Sequence, residues 1–108
     1  MKIPDLSHLQ FLVLAQLLAD ERTGRELRAS LKGYRLRQSG PAFYQMMARL
    51  ENAGLVSGWY TQEVIEGQMI KERHYRVTPA GTAAWRQCRS FYERTIEAAG
   101  GEDLAHAR

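Results

Sequence analysis

Between Ser39 and Asn52 the chain carries Tyr44, Gln45, Arg49 and Asn52 at successive spacings of one, four and three residues. At 100° per residue these side chains share one side of a helix, with small Ala48 between them. A phenol, two carboxamides and a guanidinium contain neither a strong nucleophile nor a metal ligand set. Their chemistry is recognition by hydrogen bonding. Carboxamides match the major-groove edge of adenine and a guanidinium matches guanine, each good bidentate pair contributing ~1–3 kcal/mol of discrimination. Arg49 has two other outlets, a phosphate or a pairing with Glu51 or another local acid. Tyr44 serves equally as a phosphate contact or as a partly buried packing residue.

Catalysis has little support in the remaining residues. His8, His74, His106 and the single cysteine, Cys88, show no metal-ligand spacing, and neither a Gly-rich phosphate loop nor a nucleophile motif occurs. Neither enzymatic activity nor a metal or other cofactor is expected. At 108 residues and 44% hydrophobic content the chain suits one modest folded domain. It has no apolar run of bilayer-spanning length and no secretory layout at its start, so a cytoplasmic protein is expected.

The net charge is only +3, but its distribution is uneven. Arg22, Arg25, Arg28, Lys32, Arg35, Arg37 and Arg49 face a single acid, Glu26, in that stretch, whereas the segment after Pro79 is balanced. A positive field confined to one segment is what phosphate binding requires, although a solvated charged face has the same composition.

Four helices and a hairpin must position these groups. Residues 7 to 19 read as a helix capped by Ser7 and apolar around nearly its whole circumference, which predicts burial on both sides. Thr23 caps a short second helix through Leu31, with Leu27 and Leu31 inward. Ser39-Gly40-Pro41 starts a third, which runs to Ala53 with Gly54 as its stop. Its inner face is expected to comprise Ala42, Phe43, Met46, Leu50 and Ala53, with Met47 at the margin. Leu55 to Gln62 and Lys71 to Val77 read as strands that pair around a Glu66-Gly67 turn, Gly58 marking a bulge or close packing against a helix. Thr78-Pro79 opens a last helix, closed at Gly100-Gly101. Its apolar residues Ala80, Ala84, Trp85, Cys88, Phe91, Tyr92 and Ile96 span roughly 160°. A helix lying on one core needs nearer ~100°, so a second surface is expected to cover the excess.

The order of three helices, hairpin and helix is that of a mainly α winged helix-turn-helix: a DNA-binding unit at 1–78, a dimerisation helix at 79–99 and a flexible tail at 100–108. In this reading Ser39 and Gly40 aim backbone N–H groups at a phosphate, and Arg35, Arg37, Lys71 and Arg73 are backbone clamps. The dimer or effector surface comprises Leu9, Leu12, Val13, Ala84, Trp85, Cys88, Phe91, Tyr92 and Ile96. Packing of a dimer core is the favoured role of those aromatic residues.

Four stretches then resemble the PadR family of bacterial transcriptional regulators. They are Thr23-Gly24-Arg25-Glu26-Leu27 with Leu31; Ser39 to Tyr44 with Arg49-Leu50-Glu51 and Gly54-Leu55-Val56; Glu66-Gly67 with Lys71-Glu72-Arg73; and Arg73 to Gly81. The resemblance as a whole extends from residue 6 to about 97. The resemblance implies a double-stranded DNA-binding repressor acting as a homodimer on a palindromic operator. It also implies dimerisation through the last helix and, as in some small members, a flat aromatic effector near Tyr92. Ala42, Gln45 and Ala48 stand where the family often has threonine, proline and arginine, so no operator sequence carries over. Glu72 departs from a more basic wing. The alternative from another class is a winged-helix protein–protein interaction module whose basic face binds an acidic partner.

Overall fold

The computed structural model describes residues 3–36 and 38–106. Arg37, one of the expected clamps, lies outside the described residues. The elements are α1 (His8–Ala19), β1 (Arg22–Thr23), α2 (Gly24–Gly33), α3 (Gly40–Asn52), β2 (Val56–Ile65), β3 (Gln68–Val77) and α4 (Pro79–His106).

Each helix begins where a hydroxyl can satisfy an otherwise orphaned N–H. Ser7 Oγ accepts from the Gln10 amide at 3.1 Å, Thr23 Oγ1 from Glu26 at 3.0 Å, and Ser39 Oγ from Ala42 at 3.2 Å. Thr78 Oγ1 accepts from Gly81 at 3.0 Å and donates to the Gly54 carbonyl at 2.6 Å, which ties the start of α4 to the exit of α3. Such caps contribute ~1 kcal/mol apiece. At the Thr23 cap, the backbone N–H donates back to the Glu26 carboxylate and holds that carboxyl below its usual range. Gly81 has no room for a side chain, because a Cβ there would collide with the Leu55 carbonyl.

The core forms where the inner stripes of α1, α2 and α3 meet the sheet: Val13, Leu14 and Leu17, then Leu27 and Leu31, then Phe43, Met46, Met47 and Leu50, closed by Val56 and Tyr75. The sheet is antiparallel in the order β1-β3-β2. The hairpin turns on Glu66 (φ 52°) and Gly67 (φ 78°), the pair of left-handed residues that a two-residue turn matched to strand twist demands. That turn sets an unbroken register from Val56↔Val77 to Ile65↔Gln68.

Several expectations are corrected. The strands extend past Gln62 and start before Lys71, because a two-residue turn lets pairing continue to the tip. Arg22–Thr23 form a third strand on the free edge of β3. Gly58 sits in regular register, so it marks no bulge. It does mark close packing against a helix, since a Cβ there would strike the Glu51 carboxylate of α3. On α3, Met47 is fully buried, not marginal, whereas Ala42 and Ala53 are exposed. The backbone of α4 continues as helix through Gly100 and Gly101 to His106. Glycine lowers helix propensity by ~1 kcal/mol per residue, a cost that does not by itself force a stop.

The apolar arc of α4 divides along its length. Ala84 and Cys88 are buried within the single chain, as is Val13 of α1, so these three are withdrawn from the expected dimer or effector surface. Burial pushes the Cys88 thiol pKa up, and its Sγ lies 3.4 Å from the Pro4 carbonyl. Leu9, Leu12 and Trp85 are half-buried, while Phe91, Tyr92 and Ile96 stand exposed, Ile96 at 67%.

Candidate nucleic-acid interface

The inner stripe of α3 is anchored by Phe43, Met46, Met47 and Leu50, and this orientation turns the opposite side outward. Tyr44, Gln45, Ala48, Arg49 and Asn52 are all exposed. Among the described residues no carboxylate is paired with Arg49, because Glu51 is engaged elsewhere. Gln45 and Arg49 line a shallow groove that also includes Asp5 and Ser7 at the start of α1.

Tyr44 is positioned by Gly24. A Cβ at Gly24 would lie 2.7 Å from the Tyr44 hydroxyl, so the glycine leaves space for the phenol to cross the start of α2. The ring also packs edge-on against Phe43, with centroids 5.0 Å apart. Tyr44 is therefore both a packing residue and an exposed polar tip. Ser39 caps α3 and Gly40 opens it; Ser39 takes the Ala42 amide on its hydroxyl and the Phe43 amide on its carbonyl, and Pro41 has no N–H. The Arg28 guanidinium approaches this end, 3.6 Å from where a Gly40 Cβ would stand. Arg35 is exposed on the turn after α2, in a left-handed conformation (φ 60°).

Lys71 and Arg73 reach the same region from β3. Together with Thr23, Arg25, Tyr44 and Glu72 they line a polar notch of about 70 Å³ between the helices and the hairpin. Lys71 is exposed, its ammonium 4.3 Å from the centre of the Tyr60 ring. Arg73 differs from the free clamp expected. It donates to Glu51 at 2.5 Å and lies over Tyr60 and Tyr75. Burial would lower the Arg73 pKa, but the Glu51 carboxylate and the contact with Tyr75 outweigh it and raise it. Burial drives the Tyr75 phenol up to about 12. The ion pair is a strut between α3 and the hairpin. Gly58 provides the space for it.

The structure thus brings Tyr44, Lys71 and Arg73 around one notch beside the exposed side of α3, with Gln45, Arg49 and Asn52 on that side. Arg35 is not at that notch; with Arg28 and Lys32 it lines a separate cleft beside Phe43 of α3. Sequence reasoning did not single out Arg28 at the α3 N-terminus or Tyr60 beneath the two hairpin cations. Counting back from the Glu66-Gly67 turn places Tyr60 opposite Arg73 and was the available signal.

No protein-family model matches this chain, and no curated protein matches it. Solved structures do. A PadR family transcription regulator from Clostridium difficile superposes with a TM-score of 0.71 at 17% identity, covering 91% of this chain and 99% of that one. A PadR family transcriptional regulator from Eggerthella lenta gives 0.66 at 25%, over 86% and 79% of the two chains. The fold is a PadR-like winged helix. Bacillus subtilis PadR, solved in complex with operator DNA, gives a TM-score of 0.62 at 19% identity. That match covers 74% of this chain and 45% of that one. In the PadR-like fold, α3 and the β2–β3 hairpin are the third helix and the wing, the two elements that carry the exposed groups described above.

Proposed function

We propose that this chain is a transcriptional regulator that binds double-stranded DNA as a homodimer and acts as a repressor. The observation that carries the reading is the exposed side of α3. A helix anchored by four buried apolar residues turns a phenol, two carboxamides and a guanidinium toward solvent, with the cations of α2 and β3 around it. That side fits the major groove, where Gln45 or Asn52 meets adenine and Arg49 meets guanine. Ser39, Gly40, Arg35 and Lys71 hold phosphates, and Arg28 joins them. Arg73 acts indirectly by bracing the wing through Glu51. The operator complex of the Bacillus subtilis neighbour supports DNA binding as the function.

Residues 1–78 form the reading unit and α4 the dimerisation helix. Phe91, Tyr92 and Ile96 leave an apolar surface that a second copy would bury, joined by the half-buried Leu9, Leu12 and Trp85. Phe11 stacks on Trp85 at 5.3 Å and meets Tyr92 edge-on at 5.8 Å. A flat aromatic effector must therefore displace Phe11 or lodge between Tyr92 and the second copy, and packing of the dimer core remains the principal role of these rings. Binding of chromosomal DNA corresponds to a cytoplasmic protein without enzymatic activity.

Selection of bound fragments from a random duplex pool tests the reading. A palindromic motif with half-site centres about one DNA turn (~10 bp) apart is expected. Recovery of no enriched motif contradicts it.

A further inference from the structure

The end of α2 and the start of α3 enclose a cleft of about 570 Å³, a volume typical of small-ligand sites and far more than one phosphate group fills. It lies at the opposite end of α2 from the notch that holds Lys71 and Arg73. Arg28, Lys32 and Arg35 line it, and its lining contains no acid. Among the described residues no carboxylate is paired with any of these three cations, although Arg28 is half-buried. Arg28 and Lys32 also stand four residues apart on one helix, where like charges repel.

Backbone groups alone close the end of α2. The Leu31 and Lys32 carbonyls accept from the amides of Leu36 and Arg35 at 3.0 and 2.9 Å. This closure turns on Arg35 at φ 60°, a conformation that favours glycine because a side chain crowds the backbone there. The chain thus tolerates backbone strain and charge repulsion at the same cleft. A bound anion would relieve the repulsion.

The rest of the lining suits an organic body. Leu36, half-buried, forms an apolar wall backed by the buried Leu31 and Phe43. Gln38 adds a buried side-chain oxygen without a hydrogen-bond partner among the described residues, so it calls for a donor. Three cations select a group with more than one negative charge, the wall and the arginines select a ring, and Gln38 selects a hydroxyl or N–H upon it.

We infer that this cleft binds a free phosphate monoester of nucleotide size, its phosphate on Arg28, Lys32 and Arg35 and its ring against Leu36. The proposed function gives Arg28 and Arg35 to duplex phosphates, so the free ligand and DNA compete for the same cations. That competition rests on the duplex-binding reading; occupancy of the cleft does not.

Calorimetric titration of the full chain with adenosine or uridine 5′-monophosphate tests the site. Saturable binding of a single nucleotide per chain is expected, with inorganic phosphate at least about tenfold weaker. Arg35→Gly should lower nucleotide affinity about tenfold or more without lowering thermal stability, because glycine relieves the left-handed strain. Arg86→Gln, on the exposed side of α4, should bind nucleotide as the unaltered chain does. Failure of both nucleotides to saturate the chain, inorganic phosphate binding as tightly, or an equal loss from Arg86→Gln overturns the site. At matched ionic strength, nucleotide at about ten times its Kd should weaken binding of a mixed-sequence duplex at least about tenfold, whereas adenosine should not. An unchanged duplex affinity overturns the competition. Absence of duplex binding by the unaltered chain defeats the proposed function, while the titration still decides the cleft.

Discussion

Helices α3 and α4 each leave one side uncovered in a single chain, and the two sides have opposite chemistry. On α3 the uncovered groups are Tyr44, Gln45, Arg49 and Asn52, which water satisfies well. On α4 they are Phe91, Tyr92 and Ile96, which water does not. A polar side can remain open until a polar surface arrives. An apolar side of this size favours permanent cover. Under the proposed function, the contrast separates a surface for transient recognition from one suited to standing assembly.

The sharpest way to break this comparison is to charge the α4 surface. Phe91→Asp/Ile96→Asp should weaken self-association at least about 100-fold, read by sedimentation, because two desolvated carboxylates would face their own copies across a twofold axis. A variant as dimeric as the parent would show that α4 is covered by something else. On α3, Arg49→Ala should cost ~1–3 kcal/mol in affinity for a selected duplex without changing the oligomeric state. Loss of dimerisation instead would mean that the two surfaces are not separate.

The brace between α3 and the wing is the next target. Glu51→Gln leaves Arg73 without its carboxylate in a partly buried site and should lower stability by about 1–2 kcal/mol in thermal or denaturant unfolding. Binding should weaken through misplacement of the wing, with the salt slope nearly unchanged. A stability equal to that of the parent would reduce the pair to a surface contact.

The smallest effect is the pH response of Tyr75. Its pKa rises from 10.0 to about 12 in the folded chain, so folding favours the protonated phenol. That stabilisation is complete below pH 10 and is lost as pH climbs toward 12. By about pH 11 the parent should have lost about 1 kcal/mol that Tyr75→Phe retains. Parallel alkaline profiles for the two proteins would contradict the assignment.

What could be read from sequence follows the range of the interactions involved. The caps at Ser7, Thr23, Ser39 and Thr78 act over three residues, and the polar side of α3 repeats at helical spacing, so both were legible. The Glu66-Gly67 turn was legible because its conformation is local. The pairing of β1 with β3 and the reach of Arg73 to Glu51 join segments far apart in the chain and leave no periodic trace. The split of the α4 arc was hidden for the same reason: Ala84 and Cys88 share their stripe with Ile96, and only the tertiary packing covers the first two. On α3 the covered stripe is centred between Phe43 and Leu50, which takes in Met47 and leaves Ala42 outside; periodicity sets the spacing of a stripe but not where the core centres it. Among the expected site residues, Tyr44, Gln45, Arg49, Asn52 and Lys71 are exposed, whereas Arg73 is engaged internally.

The most direct measurement on α3 as a groove reader is fluorescence anisotropy of a labelled operator-like duplex titrated with the protein at increasing salt. Neutralisation of six to ten phosphates by the α2, α3 and wing cations predicts a fall in affinity of ~10³–10⁵ between 50 and 200 mM salt. An affinity that stays flat across that range would contradict entry of α3 into DNA.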